Sequence, residues 1–555
     1  MNESRPWQRH YDYDVPTTLR YPRIPAQDLM HVAAKAFPDK PALNFYGTET
    51  SFWDLRQQSL RMANALGALG VLKGDRVGIH LPTSPQYVIV YHAVLSLGAI
   101  VVNLNPLYTV EELKSLTLDT GVRTLITFDL FLENIQALCR VVDIPRVIVT
   151  RVTDFIQGFE KSTPRDMDLE EGWVHFSALL EGAADTRVPR VNISPADPAL
   201  IQFTGGTTGI PKGAVLTHGN LVAATLQVVL WGGSVSKMTP PERRTVLCAL
   251  PYFHVYGTIV AMSYALFNGS TQILIPRFEQ DELMGILGGF EEITFFPAVP
   301  TMIHAVVNHL KAGELNLARR IGLLNSGAAP MPLDLIEQIK DMGISYSEGW
   351  GMSETTSLGI ANPVLGCRKP GSIGLPWPDT DIRLVDLEEG KTDVPKGEPG
   401  EILIKSPLVM KEYWNNPGET ALHLEDGWLR TGDIAALDED DYVFIVDRKK
   451  DMIIAGGFNI YPREIDEVLY QHPKIRDAVA LGVPDLYRGE TVKAFIVPRE
   501  GETLTEAEVM DFCKDKLAPY KRPKIIEFRD ELPKSPVGKI LRKVLRAEED
   551  AKGVT

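Results

Sequence analysis

Between Arg76 and Phe128, short apolar runs alternate with longer helical patterns, and this alternation most constrains the fold. RVGIHLP leads into PQYVIVYHAVLSLG, then IVVNLNP, VEELKSLTLDTG and TLITF. Strands this apolar need cover on both faces, which parallel sheets flanked by helices provide. A second series, TVLCALP, QILIP, ITFFPAVP and IGLLNSG, repeats the pattern. Two stretches, Val77 to Val110 and Thr245 to Ile275, nearly lack charge and have the length of membrane spans. Turn residues such as Pro82-Thr83-Ser84-Pro85 and Asn268-Gly269-Ser270 break them, so they read as buried α/β core.

Phe155 to Asp197 is more polar and reads as a connector. After about residue 380 the elements shorten to DIRLVD, GEILIKSP and YVFIVD, a β-rich subdomain. The charged run Asp447 to Asp451 then precedes a smaller α+β pattern. A strand does not carry Arg-Lys-Lys through a core, so the chain divides near Lys450. The expected fold class is α/β. A large N-terminal domain (1–449) of parallel-rich sheets covered by helices is followed by a small α+β C-terminal domain (450–555).

A chain of 555 residues exceeds a single core. Its net charge of −15 argues against general nucleic-acid binding. The local balance differs at the C-terminal end, where Asp511 to Arg546 carries eleven Lys or Arg against five Asp or Glu. That suits a polyanionic substrate. Cys139, Cys248, Cys367 and Cys513 form no CxxC pair, which fits neither a disulfide framework nor a zinc site and suits a reducing cytoplasm. The N-terminal stretch has no signal-peptide core.

FTGGTTGIPKG, Phe203 to Gly213, follows the apolar run DPALIQF and precedes the helical HGNLVAATLQVVL. It is no Walker A loop, because Pro211-Lys212-Gly213-Ala214 replaces the Gly-Lys-Ser/Thr ending. Gly205, Gly206 and Gly209 let backbone N–H groups approach phosphate oxygens. Thr204, Thr207 and Thr208 add hydroxyl donors, and Lys212 adds a point charge.

This loop resembles the signature of the AMP-forming adenylating enzymes: acyl-CoA synthetases, luciferases and peptide-synthetase adenylation domains. PYFHVYG (251–257), NSGAAP (325–330), GWGMSETT (349–356), GWLRTGD (427–433), DRKKDMIIAGGFNIYPREIDEV (447–468) and LPKSPVGKILR (532–542) follow in that family's order. The resemblance implies ATP-dependent activation of a carboxylic acid through an acyl-adenylate, then transfer to a thiol. Glu354 matches the Mg²⁺ carboxylate, a hard oxygen ligand. Ser353 stands where Thr is more common and faces the α-phosphate. Trp350 replaces a Tyr that stacks near adenine, with Glu348 and Gly349 beside it in the nucleotide site. Gly327, Ala328 and Ala329 line the adenine slot, and Gly327 also borders the acyl pocket. Asp433 and Arg448 match the ribose-binding pair. Lys450 matches the hinge on which a mobile small domain rotates, and Lys539 the lysine that stabilises the adenylation transition state. Gly456 and Gly457 match the turn beside the thiol channel.

His254 and Tyr256 match positions facing the acyl group. Thr258 replaces a gating tryptophan of some long-chain ligases, which leaves chain length open. Ile454 and Gly456 stand where luciferase-like and coumarate-ligase-like members carry lysines, so the chain looks most like bacterial long-chain fatty-acid:CoA ligases. It ends soon after Lys539 with no carrier domain, which favours free coenzyme A as acceptor. Medium-chain and aromatic acids stay open as substrates, and a non-catalytic acyl- or nucleotide-binding homologue is disfavoured by the retained polar residues. Relatives are commonly homodimers. A long-chain acid also raises peripheral membrane contact, although no lipidation motif supports it.

Overall fold

The computed structural model describes residues 5–159, 169–204, 211–455, 458–485, 488–514, 516–535 and 538–552. Two large sheets dominate it. In the eight-stranded sheet, Ile100–Asn103, Arg76–His80, Thr124–Phe128 and Arg146–Thr150 run parallel beside Pro198–Phe203. The strand Gly213–Thr217 closes back antiparallel on Pro198–Phe203, and Glu412–Tyr413 adds to its outer edge. In the nine-stranded sheet, Thr271–Leu274, Thr245–Cys248, Ile293–Ala298, Ile321–Ser326 and Tyr346–Met352 run parallel, and Ser357–Ala361 turns back antiparallel.

Local chemistry sets the helices between these strands. Pro85–Ser96 is buried at every position, as expected of a helix apolar all round, and starts with Ser84 accepting from the Tyr87 N–H and Pro85 in the first turn. Val110–Thr120 begins with a Thr109–Glu112 capping box and stops at Gly121, whose φ of +63° suits glycine. His218–Trp231 begins with a second box, Thr217–Asn220. Among the described residues no helix is long and apolar enough to cross a membrane.

A five-stranded sheet follows, including Asp381–Val385, Gly400–Lys405, Trp428–Leu437 and Val443–Arg448. Sheet membership changes between Arg448 and Ile453. Ile453–Ala455, Phe458–Ile460, Ile475–Asp485, Gly489–Pro498 and Ile525–Phe528 form a separate sheet. The helices Pro462–Tyr470 and Arg542–Lys552 are tied to it through Asp466, which pairs with Arg542 and accepts from the Ala480 N–H at 2.6 Å. Both side chains are mostly buried, at 13% and 21% exposure. Removing one partner of such a pair leaves a desolvated charge, at a cost of about 3 kcal/mol. Arg542→Met is therefore expected to unfold residues 453–552 earlier in a denaturant series followed by hydrogen exchange. Unchanged protection there would contradict this role.

Candidate active site

The hairpin joining Tyr346–Met352 to Ser357–Ala361 is strained. Thr356 and Ser357 have φ of +53° and +104°, sparsely populated for residues with a Cβ. A Cβ on Gly351 would lie 1.6 Å from the Ser357 carbonyl oxygen, so only glycine fits. The Thr355 hydroxyl accepts from the Met352 N–H at 2.9 Å and reaches the Ser357 carbonyl at 2.7 Å, while the Thr356 hydroxyl donates to Leu408 O at 2.6 Å. These bonds hold Ser353 and Glu354 at the turn.

Glu354 is 5% exposed, and burial raises its pKa. One carboxylate oxygen accepts from the Tyr413 hydroxyl at 2.8 Å. The Tyr413 ring also lies 5.5 Å beneath the Lys212 ammonium, which pairs with Glu419 at 2.5 Å. Lys212 follows directly on the glycine-rich loop, whose neck closes with the Thr204 N–H donating to Lys212 O at 2.9 Å. Tyr413 thus bridges the loop's lysine and the hairpin's carboxylate. Gly205, Gly206, Thr207, Thr208 and Gly209 lie outside the described residues, as do Gly456 and Gly457.

Asp433 and Arg448 face each other across paired strands, with guanidinium Nε 3.1 Å from one carboxylate oxygen. The indole N–H of Trp350 donates to the other oxygen at 2.8 Å. Trp350 therefore bridges the nine-stranded sheet and the β-rich sheet. Lys539 arrives from the small domain. Its loop is closed by the Ser535 N–H donating to Lys539 O at 2.7 Å. Gly538, at φ +72°, sits so close to the large domain that a Cβ would meet Thr301 Oγ1 at 2.2 Å. The Arg448 guanidinium first, and burial second, hold the Lys539 amine down at about 7, with Asp433 pulling the other way. Lys450 lies in the turn after Arg448, and its carbonyl accepts from Arg546 at 3.3 Å.

His254 faces the same lysine. Burial, assisted by the Lys539 charge, holds its imidazole at about 4, so the ring is neutral at pH 7. Its Nδ1 accepts from the Tyr256 N–H at 3.3 Å, which leaves the proton on Nε2. Tyr256 opens a π-helical run, Tyr256–Ser263, and donates its hydroxyl to Asn325 Oδ1 at 2.8 Å. Its ring closes on Gly327, where a Cβ would come within 3.0 Å. Ala328 follows at φ +67° and Ala329 is half-buried. Thr258 is fully buried and its hydroxyl is spent on Tyr252 O at 2.5 Å and His254 O at 3.2 Å. Glu348 is buried on the strand leading to Gly349, and desolvation lifts its carboxyl to about 7.

The sequence reading assigned nothing to Tyr413, Glu419, Asn325 or Thr301. Asn325 opens a motif that had been read, so its neighbours carried a signal. Tyr413 and Glu419 lie in KEYWNNPGET, which has no distinguishing composition.

Residues 30–414 match the AMP-binding enzyme family and 464–539 the AMP-binding enzyme C-terminal domain. The chain belongs to the AMP-binding enzymes. It is 40% identical to a long-chain-fatty-acid–CoA ligase of Bacillus subtilis (strain 168), over 99% of both chains. ATP-bound MatB from Rhodopseudomonas palustris superposes with a TM-score of 0.83 at 30% identity, covering 95% of this chain and 99% of that one. The apo form of the same protein gives 0.73 at the same coverage. o-Succinylbenzoate CoA synthetase (MenE) from Bacillus subtilis, in complex with ATP and magnesium, gives 0.78 at 28% identity, covering 95% and 100%.

For an AMP-binding enzyme the Trp350–Asp433 bond has a measurable consequence. A hydrogen bond to a charged group is worth about 1.5–3 kcal/mol. On the expectation that Asp433 binds the ribose, Trp350→Phe should weaken AMP binding by roughly 10- to 100-fold in calorimetry, by leaving Arg448 as the remaining partner of that carboxylate. Unchanged affinity would contradict that positioning.

Proposed function

We propose that this AMP-binding enzyme converts a fatty acid, ATP and coenzyme A into acyl-CoA, AMP and pyrophosphate. The observation that carries the proposal is the convergence of Lys539, Arg448 and Asp433 beside His254. The fatty acid is supported by the ligase relative and by a narrow apolar seam. Its lining includes Val260, Tyr264, Phe295, Leu323 and Leu358, together with Asn325, which accepts from the Tyr256 hydroxyl.

A carboxylate is a poor acyl donor because its leaving group is oxide. In the first step one of its oxygens attacks the α-phosphorus of ATP. The bond to the β-phosphate oxygen breaks, and pyrophosphate leaves with the electron pair. Lys212 and the loop that begins at Thr204 hold the departing end. Lys539 and Ser353 face the α-phosphate, where charge builds. Asp433 accepts from the ribose hydroxyls with Arg448 beside it. Trp350 holds Asp433 in place, and Gly327, Ala328 and Ala329 flank the base with Glu348 and Gly349. Glu354, a buried carboxylate with one oxygen bonded to Tyr413 and the other a hard oxygen donor, would hold Mg²⁺. Bound there, Mg²⁺ supplies charge neutralisation. In the second step the coenzyme A sulfur attacks the acyl carbonyl, the carbon–oxygen bond to AMP breaks, and the thiol proton passes to solvent.

The two steps need different neighbours. Lys450 is the hinge that withdraws Lys539 after the first and brings the Ala455-Gly456-Gly457 turn to the thiol path. Neutral His254 lines the acyl carboxylate without adding charge. The basic surface of the small domain suits the coenzyme A phosphates.

The direct test measures pyrophosphate release over acids of increasing length and over aromatic acids, with and without coenzyme A. CoA-dependent turnover of fatty acids is expected; turnover of aromatic acids alone, or none, would overturn the proposal. Lys539→Ala is expected to lower adenylate formation by about 10²–10³-fold while sparing thioester formation from a supplied acyl-adenylate. Equal loss of both contradicts the role. The amine that sits at about 7 in the free enzyme is charged below that pH and neutral above it. The kcat/KM of adenylate formation should therefore fall as pH rises through about 7, and a rise there would contradict the charge role.

A further inference from the structure

Trp231, Gly232, Val364 and Trp377 line the same seam as Asn325. Its cavity volume is about 20 Å³, room for roughly one water. An acyl chain therefore enters only if the walls part. Two of those walls are irregular. Gly232 breaks the helix His218–Trp231 from Gly233–Met238, and the opposite wall is the π-helical run Tyr256–Ser263, an arrangement frequent at functional sites.

Residues 5–24 form a strap that holds two of these lining residues, Trp231 and Val364, and the short helix next to a third, Gly232. Tyr11 packs edge-on against Trp231, ring centroids 5.1 Å apart, and its hydroxyl donates to Pro376 O at 2.5 Å. The Asp12 carboxylate accepts from the backbone N–H groups of Val364, Leu365 and Gly366 at 2.8, 3.1 and 2.6 Å. Asp14 accepts from Ser234 and pairs with Lys237, both at 2.7 Å, fixing the short helix beyond Gly232. Farther along, the Tyr21 hydroxyl and the Leu19 N–H donate to Asp379 at 3.0 and 2.8 Å. Carboxylates accepting several N–H groups are the strong members of a hydrogen-bond network.

We infer that this strap is the end wall of the acyl channel, and that Tyr11 behind Trp231 sets the longest acid the enzyme accepts. The inference rests on the fatty-acid reading above. In this inference the terminal methylenes of the substrate occupy the seam, one of whose lining residues, Asn325, accepts from the Tyr256 hydroxyl. Trp231 yields only as far as Tyr11 permits, and Tyr11 is held by Pro376 and by the Asp12 and Asp14 clamps.

The test compares kcat/KM across saturated acids of increasing length for the native enzyme and for Tyr11→Ala. The optimum is expected to move to acids at least two carbons longer, each newly buried methylene raising kcat/KM by about fourfold. Tyr13→Ala, on the same strap but 89% exposed, should leave the profile unchanged. A Tyr11→Ala enzyme with the native optimum overturns the inference. Should that variant not fold, acids carrying a terminal diazirine report on the native enzyme. Photolabel on the peptides holding Tyr11 or Trp231 supports the end wall. Label instead at the second small cavity, between Leu29, His92 and Leu266, overturns it. An enzyme that turns over no fatty acid at all fails the underlying reading rather than this one.

Discussion

A lysine held beside an arginine is unfavourable until an anion joins them, and the site depends on that constraint. Arg448 is the largest influence on Lys539, ahead of burial, and Asp433 compensates only in part. In a desolvated pocket such repulsion costs several times what it would in water. A phosphate between the two cations turns the repulsion into attraction. In the proposed mechanism the same repulsion accounts for Lys539 being delivered by a separate domain. A cation so poised favours charge building on the α-phosphate, and has no corresponding task when a thiol attacks a neutral carbonyl.

The large domain makes the matching half of the site rigid at some cost in backbone strain. Two consecutive positive-φ residues, a glycine that tolerates no Cβ and three hydroxyl-to-backbone bonds hold the turn that bears Glu354. Tyr413 then couples that carboxylate to Lys212, and Trp350 couples the same hairpin to Asp433. Three sheets of different topology therefore share one cluster of polar side chains. A displaced Trp350 or Tyr413 would disturb two of its members at once.

Much of this was legible in the chain. The alternating apolar runs appear as the two parallel-rich sheets, and the β-rich stretch after about residue 380 is the third. Asp433 and Arg448 pair because their strands are hairpin neighbours, which a local pattern can reveal. The partnership of Trp350 with Asp433 spans 83 positions and depends on how two sheets pack, so only the residues were visible. Tyr413 escaped notice because a lone Tyr beside Trp and Asn has no periodicity or motif to single it out. The hydroxyl of Thr258 bonds the Tyr252 and His254 carbonyls, a pairing no local pattern reveals. Thr258 lies in the π-helical run Tyr256–Ser263, and a 3.6-residue period does not announce such a widening. The strap was read only as a segment lacking a signal peptide, because its hold on Trp231 and Val364 is entirely long-range.

The proposed mechanism docks Lys539 for one half-reaction and withdraws it for the other, and a reversible lock tests that directly. A Cβ at Gly538 would lie 3.2 Å from Thr301 Cβ, near the roughly 3.5–4.5 Å of a disulfide. Thr301→Cys with Gly538→Cys should therefore cross-link on oxidation and hold Lys539 in place. The measurement is ATP–pyrophosphate exchange alongside thioester formation from supplied acyl-adenylate, before and after reduction. The oxidised enzyme is expected to keep exchange and lose thioester formation, and reduction to restore it. Thioester formation at full rate in the locked enzyme would contradict the account.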